Sequence, residues 1–91
     1  MKVMSTWTFK DGVIAEAAKR FLAGEAAPQP GVTLLGRWHS VDLSTGFSLY
    51  ETSDPAALYN GAVKWADLLN FETFLVVEDT EVGPALAKIY G

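Results

Sequence analysis

Val32-Thr33-Leu34-Leu35-Gly36-Arg37-Trp38-His39, followed by Ser40-Val41-Asp42-Leu43-Ser44-Thr45 and then Gly46-Phe47-Ser48-Leu49-Tyr50-Glu51-Thr52, reads as strand, turn and strand. Side chains along a strand alternate between two faces. In the first strand Val32, Leu34, Gly36 and Trp38 share one side, and Thr33, Leu35, Arg37 and His39 the other. In the second, Phe47, Leu49 and Glu51 oppose Ser48, Tyr50 and Thr52. The short connection between them suits an antiparallel hairpin. One register groups Trp38 with Phe47, Leu49 and Glu51, and leaves Arg37, His39, Ser48 and Tyr50 together behind them. A one-residue slip would mix the two sets.

Upstream, Lys2 to Phe9 alternates as a strand, with Val3, Ser5, Trp7 and Phe9 on one face and Met4, Thr6 and Thr8 on the other. Asp11 is placed to cap a helix that runs to about Ala23. Its apolar stripe is Val13, Ile14, Ala17, Ala18, Phe21 and Leu22, with Glu16 and Arg20 paired one turn apart on the other side. Gly24 stops it, and the Pro- and Gly-rich stretch to Gly31 is a loop. Downstream, Asp54-Pro55 combines an N-cap residue with proline in the first turn. That helix is expected to reach about Leu69, with Phe71 to Val77 a fourth strand. Thr80 to Tyr90 is a short final helix, docked by Leu86, Ile89 and Tyr90.

The order βαββαβ with a helical tail predicts an α+β domain over residues 1–91. Right-handed crossovers leave the ferredoxin-like arrangement as the simplest solution: a four-stranded antiparallel sheet with two helices on one face. The helices are expected to cover Val3, Trp7, Leu34, Trp38, Phe47 and Leu49. The other face, with Arg37, His39, Ser48, Tyr50, Thr6, Thr8, Leu35 and Phe74, is expected to meet a second copy. A two-fold dimer of such sheets encloses a barrel-like space.

Composition points the same way. A chain of 91 residues buries a thin core, and 49% of this one is hydrophobic, with three Trp, five Phe and three Tyr. With no Cys there is no disulfide, thiolate ligand or thiol nucleophile, and the cytoplasm suits it. One His is too few for a borderline metal, so no metal and no cofactor are expected. A partner chain is the remaining source of burial. The net charge of −4 disfavours nucleic acid and anionic membranes, and neither a signal peptide nor a transmembrane run is visible.

His39 is the first candidate for catalysis, since imidazole exchanges protons near neutral pH. Arg37 shares its face and suits an anion, and Tyr50 and Ser48 across the hairpin supply hydroxyls. Such a set would bind a small acid or phenol and move a proton; paired charges in a dimer interface would explain His39 and Arg37 as well. Trp7, Trp38 and Trp65 are candidates to line an aromatic ligand pocket between helices and sheet, although core packing accounts for large aromatics equally. Glu51 and Asp67 form a carboxylate pair without diagnostic spacing. No Ser lies in a nucleophile-elbow setting, and no phosphate loop is present.

Met4-Ser5-Thr6-Trp7-Thr8-Phe9, Leu34-Leu35-Gly36-Arg37-Trp38-His39, Asp54-Pro55-Ala56-Ala57-Leu58 and Trp65-Ala66-Asp67-Leu68-Leu69 together resemble a bacterial domain-of-unknown-function family, nearly end to end. Gly36-Arg37-Trp38-His39 is the most specific part. The resemblance implies membership of the dimeric α/β-barrel group of ferredoxin-like proteins, and hence a homodimer. It implies no activity, because the wider group spans cofactor-independent antibiotic-biosynthesis monooxygenases, lactone isomerases, stress-responsive barrel proteins and haem enzymes. Three functions stay open: a binder of a small apolar or aromatic molecule, a cofactor-independent monooxygenase or isomerase using His39, and a module acting through self-association.

Overall fold

β1 (Lys2–Phe9) is paired on both sides, antiparallel to β3 (Thr45–Thr52) and to β4 (Leu69–Val76), in a computed structural model that describes residues 1–91. With β2 (Val32–His39) outside β3, the sheet order is β2-β3-β1-β4. Helices α1 (Ile14–Leu22) and α2 (Pro55–Trp65) lie over one face, and α3 (Asp79–Tyr90) follows the edge strand β4. This is the expected ferredoxin-like topology.

Two helix boundaries differ from expectation. Asp11 does not cap α1: Gly12 adopts φ 74° in a turn and Val13 takes the N-cap position with no side-chain bond. Asp54 does cap α2, accepting from the Ala56 N–H at 3.0 Å. However, α2 stops at Trp65, and Leu69 begins β4 opposite Phe9. The Lys10 N–H donates to the Leu68 carbonyl at 2.9 Å, so the ladder claims a segment whose apolar spacing alone would extend the helix. Leu68 and Leu69 are buried with Ala17, against Trp7, Phe9, Val13, Trp65 and Phe71. This cluster is the core, and it sits at the end of the sheet where β1 finishes.

The hairpin separates its side chains as expected: Trp38 pairs with Phe47, and Arg37 with Ser48. Its orientation against β1 is the reverse of the expected one. Val3 lies opposite Tyr50, Ser5 opposite Ser48 and Trp7 opposite Gly46, so Arg37, His39, Ser48 and Tyr50 face the helices. Phe47, Leu49 and Trp38 lie on the open face with Met4, Thr6, Thr8 and Phe74. Leu34 nevertheless faces inward, because a β-bulge at Leu35 adds a residue between Leu34 and Gly36 and shifts the alternation by one. Strict alternation had placed Leu34, Gly36 and Trp38 together; the bulge separates them.

α3 does not dock on its own chain. Leu86, Ile89 and Tyr90 are 52%, 75% and 83% exposed. An ion pair between Lys2 and Glu78 anchors the residue before its first turn, and the rest extends beyond the sheet. The radius of gyration is 15.6 Å along a 51 Å axis, whereas a compact chain of this length has about 12 Å. No helix is long and apolar enough to cross a membrane.

At the β2–β3 turn, Asp42 accepts from the Ser40 hydroxyl at 2.7 Å, the Ser44 hydroxyl at 2.7 Å and the Ser44 N–H at 3.1 Å. These bonds to the charged form, Ser40's first, hold its carboxyl down at about 2 against an ordinary 3.8. A depressed carboxylate stabilises the fold fully above 3.8, and that contribution disappears as pH falls toward 2. Asp42→Asn is therefore expected to flatten this stretch of the acid-unfolding curve, followed by circular dichroism, and to leave the curve at neutral pH without a new slope.

Candidate functional site

The four strands present three cross-rows of side chains to the helices. Nearest the core, His39, Gly46, Trp7 and Phe71 align across β2, β3, β1 and β4. In the middle row stand Arg37, Ser48, Ser5 and Thr73, and in the third Leu34, Tyr50, Val3 and Leu75. An aromatic band and a largely aliphatic one, with Tyr50 its single ring, thus flank a polar one. Above them lies a cavity of about 580 Å³, with 20 hydrophobic residues among its 29 lining residues. α1 contributes Ala18 and Phe21 to its roof, and α2 contributes Leu58, Ala62 and Trp65.

Trp7 shapes the aromatic band. Its indole extends across Gly46, where a Cβ atom would overlap the ring. The missing side chain of β3 lets a residue of β1 reach β2: the Trp7 and His39 rings meet edge to face with centroids 5.9 Å apart. Phe21 descends from α1 onto the same imidazole, at 5.8 Å and 82°. His39 forms no hydrogen bond with the protein, so ring edges alone orient it and both nitrogens are available to a bound molecule.

Arg37 is half-buried and donates to the Ala26 carbonyl at 2.8 Å, tying the α1–β2 loop to the sheet. It forms no salt bridge; those of the chain join Met1 to Glu51, Lys2 to Glu78, and Arg20 to Glu16 and Asp67. Ser5 and Thr73 share a hydrogen bond of 3.1 Å. The Ser48 hydroxyl, between Arg37 and Ser5, is fully buried with no partner. Such groups normally find one, so the middle band holds unused bonding capacity.

Arg20 clamps α1 to the end of α2 beside Trp65. Its guanidinium meets the Asp67 carboxylate at 3.1 and 2.7 Å, donates to the Lys64 carbonyl at 3.1 Å, and lies 5.9 Å from the Trp65 ring centroid. Its hydrogen bond, then its charge, holds the Asp67 carboxyl below its ordinary value. Asp67 is therefore a tether between α1 and the end of α2. Glu51, on the open face, binds the N-terminal ammonium at 2.7 Å. The structure does not bring these two carboxylates together.

Of the residues singled out from the sequence, His39, Arg37, Tyr50, Trp7 and Trp65 all line the cavity. Trp38 does not: it lies over Gly36 on the open face, 58% exposed, because the bulge directs it away from the helices. Sequence reasoning missed the parts played by Phe21, Phe71, Ser5, Thr73 and Gly46. Ser5 shares its strand face with Trp7, and that signal was readable; the partnership with Thr73 depends on how β4 registers against β1.

The sequence model of a family described as a domain of unknown function (DUF3303) matches residues 1–90. Among solved structures, the chain is similar to a candidate antibiotic biosynthesis monooxygenase from Deinococcus radiodurans, with a TM-score of 0.50 at 10% sequence identity, over 86% of this chain and 94% of that one. That likeness is one of fold. None of the curated proteins matches the sequence significantly.

Because Trp7 needs the space above Gly46, Gly46→Ala is expected to destabilise the protein by about 1–3 kcal/mol, although alanine ordinarily suits a strand better than glycine. Urea unfolding followed by tryptophan fluorescence measures the loss; an unchanged midpoint would mean that Trp7 does not occupy this position.

Proposed function

The chain belongs to the DUF3303 family, whose description assigns no reaction, and we propose from the site itself that it is a one-domain protein binding a small apolar or aromatic molecule between helices and sheet. The observation that carries this is the cavity. Its volume of about 580 Å³ lies within the range of small-molecule sites, and its lining is apolar with a few convergent polar groups, as such sites are. A void that size in a chain with so few buried residues leaves Trp7, Trp65, Phe21 and Phe71 short of packing partners that a ligand would supply.

The protein would act as a homodimer. Its accessible surface is 6387 Å², against about 5,200 Å² for a compact monomer of this mass. The excess is comparable with the roughly 800 Å² each partner contributes to a stable interface. Met4, Trp38, Phe47 and Phe74 form an exposed apolar patch on the open face, and the stripe of α3 adds more. A second copy would cover both, with the cytoplasm a suitable location for a cysteine-free chain.

A second reading, cofactor-independent oxygenation or isomerisation, is favoured by one observation: His39 lines the cavity, exposed and with both nitrogens unbonded. There it would take a proton from a bound molecule, with Tyr50, whose hydroxyl also has no protein partner, beside the same space. Under this reading His39→Phe preserves the ring contacts and ligand binding but removes turnover. Turnover that survives in this variant would exclude His39 as the base.

Native mass spectrometry of the protein purified from cells tests the main proposal. The expected spectrum is a dimer carrying a releasable mass. Ala62→Phe, which fills the roof of the cavity, is expected to remove that mass and keep the dimer. A bare monomer would overturn the reading of the open face; an adduct that persists in Ala62→Phe would place the ligand elsewhere.

A further inference from the structure

We propose that the ligand of this cavity is an aromatic carboxylic acid, bound as its anion, with its carboxylate at Arg37 and its rings along the His39–Trp7–Phe71 band; this rests on the cavity being a binding site. Arg37 is the only Lys or Arg among the lining residues. It is half-buried and has no carboxylate partner. A guanidinium offers five N–H donors, and the protein uses one, on the Ala26 carbonyl. Glu25 also lines the cavity, but it is exposed and forms no ion pair with Arg37.

A ligand entering this space displaces the water that solvates Arg37. A neutral hydrocarbon would leave the charge stranded against apolar walls, and a cation would repel it. A carboxylate matches the planar fork with two parallel bonds. The fully buried Ser48 hydroxyl lies directly across the strand pair from Arg37 but outside the lining of the cavity; Ser5 and Thr73, which do line it, carry the polar band onward. Beside this polar band, the aromatic one offers three rings to a flat ring system, while the other offers only that of Tyr50. Charge and shape therefore select the same class of molecule from opposite ends.

The test is calorimetric titration of the full-length protein with 2-naphthoate and its neutral isostere 2-naphthamide. The native protein is expected to bind naphthoate at least about tenfold more tightly, the size of one charge-assisted hydrogen bond. Arg37→Gln retains an amide donor for the Ala26 carbonyl; it is expected to lower naphthoate to the affinity of naphthamide and to leave naphthamide unchanged. If that variant does not fold, the Arg37 side-chain nitrogen resonances of the native protein are expected to move with naphthoate and not with naphthamide. Equal affinities in the native protein would overturn the anion and spare the cavity as a site. A preference that survives Arg37→Gln, or resonances that respond alike to both probes, would overturn Arg37 as its holder. Failure of both probes to bind would count against the cavity reading itself.

Discussion

The antiparallel pairing of β1 with β3 sets Trp7 opposite Gly46, and the interior of the protein is arranged around that pair. A bulky residue at either position is accommodated only by its absence at the other. With the indole across β3, His39 is reached from the side and Phe21 meets it from above. The same register places Ser5 beside Ser48, and thereby forms the polar band that ends at Arg37. Fold and site are not separate here: the rows that give the sheet its register are the floor of the cavity.

The division of labour along the sheet has a physical basis. Toward the end of β1, small Ala17 lets α1 approach closely, and Leu68 and Leu69 fill the remaining space. Arg20 then locks α1 to the end of α2 through Asp67. Away from that clamp the helices present Ala18, Gly61 and Ala62, side chains too short to meet the strands, and a space stays open. The core and the cavity are thus two ends of one helix–sheet layer, differing in how far the side chains reach.

The topology was legible because each element carries its own local signal: alternation in Lys2–Phe9, the helical stripe around Ala17 and Phe21, and the Asp54-Pro55 start. Partition of the hairpin was legible too, since Arg37 and Trp38 fall on opposite sides in any unbroken strand. Which side faces the helices was not. Apolar content pointed Trp38, Phe47 and Leu49 inward, but inside and outside were decided by the β1–β3 register and the extra residue at Leu35, both long-range facts of pairing. The rule that apolar residues go inward loses force where both faces of a sheet are destined for cover. His39, Arg37 and Tyr50 emerged as a set because cross-strand proximity within a hairpin is local; Thr73 and Phe71 come from a strand whose neighbour lies at the other end of the chain.

The bulge at Leu35 gives β2 a frame as well as a sequence. That single extra position lets Leu34 face inward together with Arg37 and His39, which regular alternation would forbid. Among related chains, exchanges at Leu35 itself would be nearly silent, since its side chain is half-exposed and belongs to neither band. Removing that one residue would restore a regular ladder and leave the pairs Arg37–Ser48 and Trp38–Phe47 intact. Absorbing it into regular alternation, with Leu34 held inward, would instead turn Arg37 and His39 to the outer surface and carry Trp38 into the cavity. Lineages of this fold should therefore tolerate drift in the identity of that residue, and even its loss, while holding the pairing of Arg37 with Ser48 constant. The trace of the site in evolution would then be a conserved pairing of β2 with β3, in a stretch where length and letters themselves vary.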